Sequence, residues 1–181
     1  MPCYNSFDRR FMEQTIETRI GKLLRKRKLK LAVAESCTGG LIGHRITNVP
    51  GSSEYFIGGV IAYAYEAKVS LLGVSWDTLQ TYGAVSRETV LEMAAGARLS
   101  LEADIAISVS GIAGPGGGLP YKPVGTVWVG LAAPNGKWAR IFCFSGNRER
   151  NKSASSEAAL AMLLEYLQGK RELDADKRNK V

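Results

Sequence analysis

Histidine is almost missing from this sequence: His44 stands alone among 181 residues. One imidazole cannot build the ligand clusters that most zinc and non-haem iron sites use, so no metal is expected. Cysteine is nearly as scarce. Cys3, Cys37 and Cys143 are odd in number and far apart, which excludes a disulfide framework and a CxxC metal site and fits a reducing cytosol. No apolar run approaches the roughly 18 residues that a membrane span needs. The first residues mix Asp, Arg and Glu with apolar side chains and lack the apolar core of a secretory signal.

What is present suits a globular protein. The hydrophobic fraction is 45%, too high for a disordered chain. At roughly 100–200 residues per domain, the length predicts one domain over residues 1–170 and a charged tail over 171–181. The formal net charge is +7, which by itself suggests nucleic acid. Its distribution argues against that. Residues 1–30 carry nine Lys/Arg and three Asp/Glu, whereas residues 31–140 carry seven and eight. Most of the excess is Arg25-Lys26-Arg27-Lys28 at the exit of a first helix, where cations complement the helix dipole.

Apolar residues at Met12, Ile16, Ile20, Leu23 and Leu24 predict a helix over 8–28. Leu29 to Ala34 reads as a short buried strand, and a second helix begins near Gly39. Tyr55 to Tyr65 is rich in β-formers, with Gly58-Gly59 as a bulge or close approach. A short helix over 66–72 follows. Ser86 is a suitable N-cap for a helix reaching Leu101, with Glu88 in its first turn. Ile105 to Val109 is a buried strand. Strands over 124–132 and 137–144 flank Pro134-Asn135-Gly136, a hairpin signal. A last helix runs from about Arg150 to Gln168, with Leu160, Leu163, Leu164 and Leu167 on one face. The alternation predicts an α/β fold: a three-layer α/β/α sandwich around a mixed, mostly parallel sheet of about five or six strands.

Three segments follow predicted strands, where ligands bind in such folds. In Glu35-Ser36-Cys37-Thr38-Gly39-Gly40, a hydroxyl at a strand-to-helix turn can be a nucleophile beside free backbone amides, or a plain helix cap, which the spacing alone favours. Lys68 lies among Ala67, Val69, Leu71 and Leu72. If buried, it is a candidate base beside Tyr63; spacing alone favours an exposed lysine. Ser110-Gly111-Ile112-Ala113-Gly114-Pro115-Gly116-Gly117-Gly118 can bring amides to a ligand, or be a flexible connection. No Gly-Lys-Ser/Thr follows it, so it is not a Walker loop. His44, eight residues after Ser36 and on the second helix, is a surface or core residue rather than a triad member.

Together, in order and spacing, these segments resemble the CinA C-terminal family of nicotinamide-nucleotide amidases. The resemblance runs from Leu31 to Leu167 and includes Pro50-Gly51-Ser52-Ser53, Gly83-Ala84-Val85-Ser86, Lys122-Pro123-Val124-Gly125-Thr126 and Phe144-Ser145-Gly146-Asn147-Arg148. It implies hydrolysis of nicotinamide mononucleotide to nicotinic acid mononucleotide and ammonia, without metal or cofactor. It implies Ser36 as nucleophile, Lys68 as base and Tyr63 as its assistant. Thr38, Gly39, Ser110, Gly111, Gly114, Gly116, Gly117 and Arg148 would contact substrate, Arg148 through the bidentate fork that suits phosphate. A small nucleotide is then the partner, with no membrane or nucleic acid, and a homo-oligomer is expected.

Some positions depart from the family pattern. Tyr-Ser-Asn-Glu-Ala-Lys is here Tyr63-Ala64-Tyr65-Glu66-Ala67-Lys68, the usual Asp is Asn147, and a later Arg falls on Lys152 or Arg150. The molybdopterin-binding-like domain of longer members is expected to be absent, since one helix precedes the first motif. Two rivals stand beside the Ser–Lys amidase. One uses Cys37 as nucleophile with Glu35 and Lys68, as nitrilase-like amidases do. The other is a non-catalytic nucleotide-binding or DNA-uptake accessory protein, favoured by the family's competence-linked name and the basic first helix.

Overall fold

The computed structural model describes residues 15–170, 173, 175 and 176. Its first helix, α1 (Ile16–Arg27), starts on Thr15, whose hydroxyl accepts from the Thr18 amide, and ends on Lys28 in a left-handed conformation. Ile20 and Leu24 are fully buried, as the apolar stripe predicts. Met12 and the rest of the expected first turns lie outside the described residues.

The other elements are β1 (Leu31–Glu35), α2 (Leu41–Thr47), β2 (Phe56–Ile61), α3 (Tyr65–Leu72), α4 (Trp76–Tyr82), α5 (Arg87–Ser100), β3 (Ile105–Gly111), β4 (Thr126–Ala133), β5 (Gly136–Cys143), α6 (Arg148–Leu167) and β6 (Ala175–Asp176). The strands form one mixed sheet in the order β2-β1-β3-β4-β5-β6. β1 runs parallel to β2 and β3, and β5 parallel to β6, while β3–β4 and β4–β5 are antiparallel. This is the expected three-layer α/β/α sandwich.

Two predicted details take a more specific form. The register slips between Leu31 and Ala32, leaving Ile57 as the extra residue of β2. A Cβ on Gly59 would lie 2.4 Å from Val33 Cγ2, so the predicted close approach is real. In the β4–β5 hairpin, Ala133 pairs with Gly136, so Pro134 and Asn135 form the tip and Gly136 already belongs to a strand. Two elements were not expected: α4, opened by the Ser75 cap on the Asp77 amide, and the short β6 in the charged tail.

The sheet separates two apolar layers. Leu31, Val33, Ile105, Ile107, Val127, Val129 and Leu131 face α1, α2 and α6. Ala32, Ala34 and Ala106 face α3, α4 and α5. The small side chains on the second face let α5 approach closely, and Ser108 Oγ donates to the Val90 carbonyl of α5 at 2.6 Å. β1 lies between β2 and β3, with α2 after β1 covering one face and α3 to α5 after β2 covering the other, so a crevice opens at the carboxyl ends of these strands.

Candidate active site

The turn after β1 is organised by a carboxylate. Glu35 is 1% exposed and accepts from the amides of Gly40, Ile42 and Gly43 at 2.9, 3.1 and 2.8 Å. It satisfies the orphan donors at the start of α2, whose N-cap, Gly40, has φ 98° and no side chain to offer. The helix-cap role that spacing suggested for Ser36 or Thr38 therefore belongs to Glu35. The Ser36 hydroxyl is left for other work.

Its partner is Lys68. The ammonium Nζ donates to Ser36 Oγ at 3.0 Å, and to the carbonyls of Ala62 and Tyr63 at 2.8 and 3.1 Å. Lys68 is 1% exposed, so the exposed lysine that spacing favoured is replaced by a buried one. It enters the interior because α3 begins one turn after β2 and turns Lys68 and Leu72 inward. Burial pushes its pKa down from 10.5 to about 8, with neighbouring Cys37 acting in the opposite sense.

Cys37 has the opposite character. It is 5% exposed and packs into the apolar layer of α1 and α6. Burial raises its thiol to about 11, opposed by its own backbone amide and reinforced by the charge of Glu35. Such a thiol is a poor source of thiolate at neutral pH.

The structure brings most of the expected site residues together. Ser36, Tyr63, Lys68, Ser110, Gly111, Gly114, Gly116, Gly117 and Arg148 line one cavity of about 280 Å³. Tyr63 joins it in two ways: its carbonyl holds Lys68, while its exposed hydroxyl accepts from Arg148 Nη2 at 3.0 Å. Arg148 Nη1 donates to the Gly114 carbonyl at 2.8 Å. Thr38 and Gly39 instead line an adjoining groove of about 720 Å³ with His44, Lys152 and, again, Arg148. Arg148 is thus the shared wall of both spaces. Lys152 faces this groove and Arg150 does not, which separates the two candidates for a second cation.

The backbone donors of the turn are only partly free. The Gly39 amide is taken by the Ser36 carbonyl at 3.1 Å, and that of Gly40 by Glu35. Among the described residues, the amides of Cys37 and Thr38 have no carbonyl partner. Thr38 Oγ1 is buried and also unpartnered. Two contributors were missed from the sequence: Glu35 as the cap, and Asn151, which is 1% exposed and bonds to loop backbone. An acid closing a buried strand just before Gly-Gly is a readable signal for the first. A lone Asn inside a helix gave none for the second. Among the described residues, no three His, Cys, Asp or Glu side chains converge as a metal site would require.

Residues 13–167 match the family model described as the CinA C-terminal domain. The CinA-like protein of Chloroherpeton thalassium is 50% identical over 159 residues, covering 86% of this chain and 38% of that protein. The CinA-like protein of Chlorobaculum tepidum is 52% identical over 157 residues, covering 84% and 37%. The chain therefore spans under two fifths of the length of these relatives. Among solved structures, the competence/damage inducible protein CihA of Agrobacterium tumefaciens superposes with a TM-score of 0.82 at 38% identity, covering 93% of this chain and 99% of that one. The competence damage-inducible protein A of Klebsiella pneumoniae gives 0.83 at 35% identity, covering 86% and 97%.

Proposed function

The chain belongs to the CinA C-terminal domain family, and from that premise we propose that it is a metal-independent amide hydrolase acting on nicotinamide mononucleotide, in pyridine-nucleotide salvage in the cytosol. The observation that carries the proposal is the 3.0 Å contact between Lys68 Nζ and Ser36 Oγ in a buried site. A general base must stand within about 2.6–3.2 Å of the proton it takes, with a pKa near the working pH. Lys68, at about 8, meets both conditions.

In the resting contact charged Lys68 donates; once neutral, it accepts the Ser36 proton. Ser36 Oγ then bonds to the carboxamide carbon, and the carbonyl electron pair moves onto oxygen. That oxyanion would rest on the Cys37 amide, which borders the Ser36 cavity and otherwise meets only its own sulfur, and on the next amide, that of Thr38, each worth about 3–4 kcal/mol of barrier. Gly39, expected to contact substrate, has its amide already committed to the Ser36 carbonyl. Lys68 returns the proton to the amide nitrogen, the C–N bond breaks and ammonia leaves. Water cleaves the ester by the same route. Tyr63 keeps its own hydroxyl proton while accepting from Arg148, so it remains able to donate toward the leaving group. The nucleotide phosphate would engage Arg148, with Lys152 as a second cation lining the groove.

Geometry supports Ser36 over Cys37, because the thiol is buried with a raised pKa and Glu35 is spent on helix amides. The deciding measurement is ammonia release from nicotinamide mononucleotide by purified protein in chelator. Release that Ser36→Ala abolishes and Cys37→Ala retains supports this assignment. The reverse pattern moves the nucleophile to Cys37. No release from wild type, together with salt-dependent DNA binding, replaces the amidase by the accessory-protein alternative.

A further inference from the structure

Asn151 sits in the second turn of α6 with both ends of its carboxamide occupied. Oδ1 accepts from the Gly146 amide at 2.9 Å, and Nδ2 donates to the Ala113 carbonyl at 3.1 Å. The next carbonyl along the chain, that of Gly114, accepts from Arg148 Nη1 at 2.8 Å. α6 therefore grips the glycine-rich loop through two consecutive carbonyls, one from inside the protein and one from its rim.

The two grips differ in what can displace them. Arg148 is exposed, and its guanidinium donates to two neutral acceptors, the Gly114 carbonyl and the Tyr63 hydroxyl. An anionic group entering from either cavity outcompetes neutral acceptors for a guanidinium, since it adds charge–charge attraction and a bidentate fit to the hydrogen bonds. Asn151 is 1% exposed and out of reach of any ligand. The Gly146 turn also rests directly on it: a Cβ there would lie 3.0 Å from Asn151 Oδ1 and 2.6 Å from Arg150 Cβ. One side chain thus fixes both the loop and the turn from which Arg148 springs.

We propose that Asn151 is a positioning residue that holds the Ala113–Gly117 wall of the catalytic cavity in place while Arg148 leaves Gly114 to take the anionic group of the substrate. This rests on the amidase assignment above. It predicts that Asn151 acts on substrate capture and not on the Ser36–Lys68 step, because the anion is gripped alike before and during the reaction.

The test is steady-state kinetics on nicotinamide mononucleotide with Asn151→Ala and with Asn151→Leu, which is larger than Ala, loses both hydrogen bonds and buries no charge. KM is expected to rise about tenfold or more in both, with kcat within about threefold of wild type. The melting temperature of Asn151→Leu should fall by no more than about 10 °C, and this variant keeps the test open if Asn151→Ala fails to fold. A fall in kcat or in melting temperature with KM unchanged marks Asn151 as structural only and overturns the proposal. A wild type that releases no ammonia removes the amidase assignment and this proposal with it.

Discussion

At the carboxyl end of β1, Lys68 has lost its water and kept three oxygen partners, Ser36 Oγ and the carbonyls of Ala62 and Tyr63. With a folded pKa of about 8, roughly a tenth of the molecules hold it neutral at pH 7. Turnover is expected to climb about tenfold per pH unit below 8 and to level off above it, read as kcat/KM against pH. A profile flat from pH 6 to 9 would contradict Lys68 as base. Stability carries the same signature. Between about 8 and 10.5 the unfolded chain binds a proton that the folded chain does not, so this residue's contribution rises with pH across that window. The full swing is about 3 kcal/mol. The melting temperature of wild type relative to Lys68→Met should therefore increase from pH 8 to 10 and stay constant below. From the sequence, Ser36 and Lys68 were visible as residue types, but not as a pair. The contact spans 32 positions and depends on how α3 folds back over the sheet, which no local pattern encodes.

Helix α3 places Lys68, and its ends explain how firmly. Its N-cap is Ala64, extended at φ −79° and ψ 165° with no side-chain hydrogen bond. Where the family pattern has Ser, this chain has a methyl group. Ala64→Ser is expected to raise stability by about 1 kcal/mol in a denaturant titration, because a hydroxyl here can accept from the first helical amides. The other end is pinned against α5. A Cβ on Gly96 would lie 1.8 Å from the Leu72 carbonyl. Helix propensity alone makes Gly96→Ala stabilising by about 1 kcal/mol. Contact with backbone reverses the sign, so a loss of about 2 kcal/mol or more is expected, with reduced turnover as Lys68 shifts. The long helices were legible because their apolar spacing is regular and caps such as Ser86 stand at their starts. Seven-residue α4 was not, since two turns give too few apolar positions to define a face. Asn147 shows a departure that costs little: it caps α6 by accepting from the Arg150 amide at 2.9 Å, a task Asn and Asp perform equally.

Across the whole molecule, charge and chemistry are kept apart. The basic exit of α1 leads into the amino end of β1, while Ser36 follows its carboxyl end. Five residues of strand put roughly 17 Å between them, about two Debye lengths at physiological salt. Replacing Lys26, Arg27 and Lys28 together by Gln should leave KM for a nucleotide within about twofold, measured at about 150 mM salt. Arg25 is best left in place, since it stacks over Tyr55 at 5.5 Å and lies 3.9 Å from Glu54. A large rise in KM would return the basic helix to a role in ligand capture. Among the described residues no helix is long and apolar enough to cross a membrane. The layered architecture was readable because strand and helix periods alternate along the chain. The strand order was not, because periodicity says which face is buried and nothing about which strand lies beside which.

The manner in which Lys68 is held has a consequence for inheritance. Two of its three holders are main-chain carbonyls, at Ala62 and Tyr63, and every amino acid carries that group. Substitutions along 62–67 can alter the surroundings of Lys68 without removing its supports, so long as the loop keeps its path. The segment can therefore vary, as Ala64 and Tyr65 do from the family pattern, without loss of the carbonyls that hold the Lys68 ammonium.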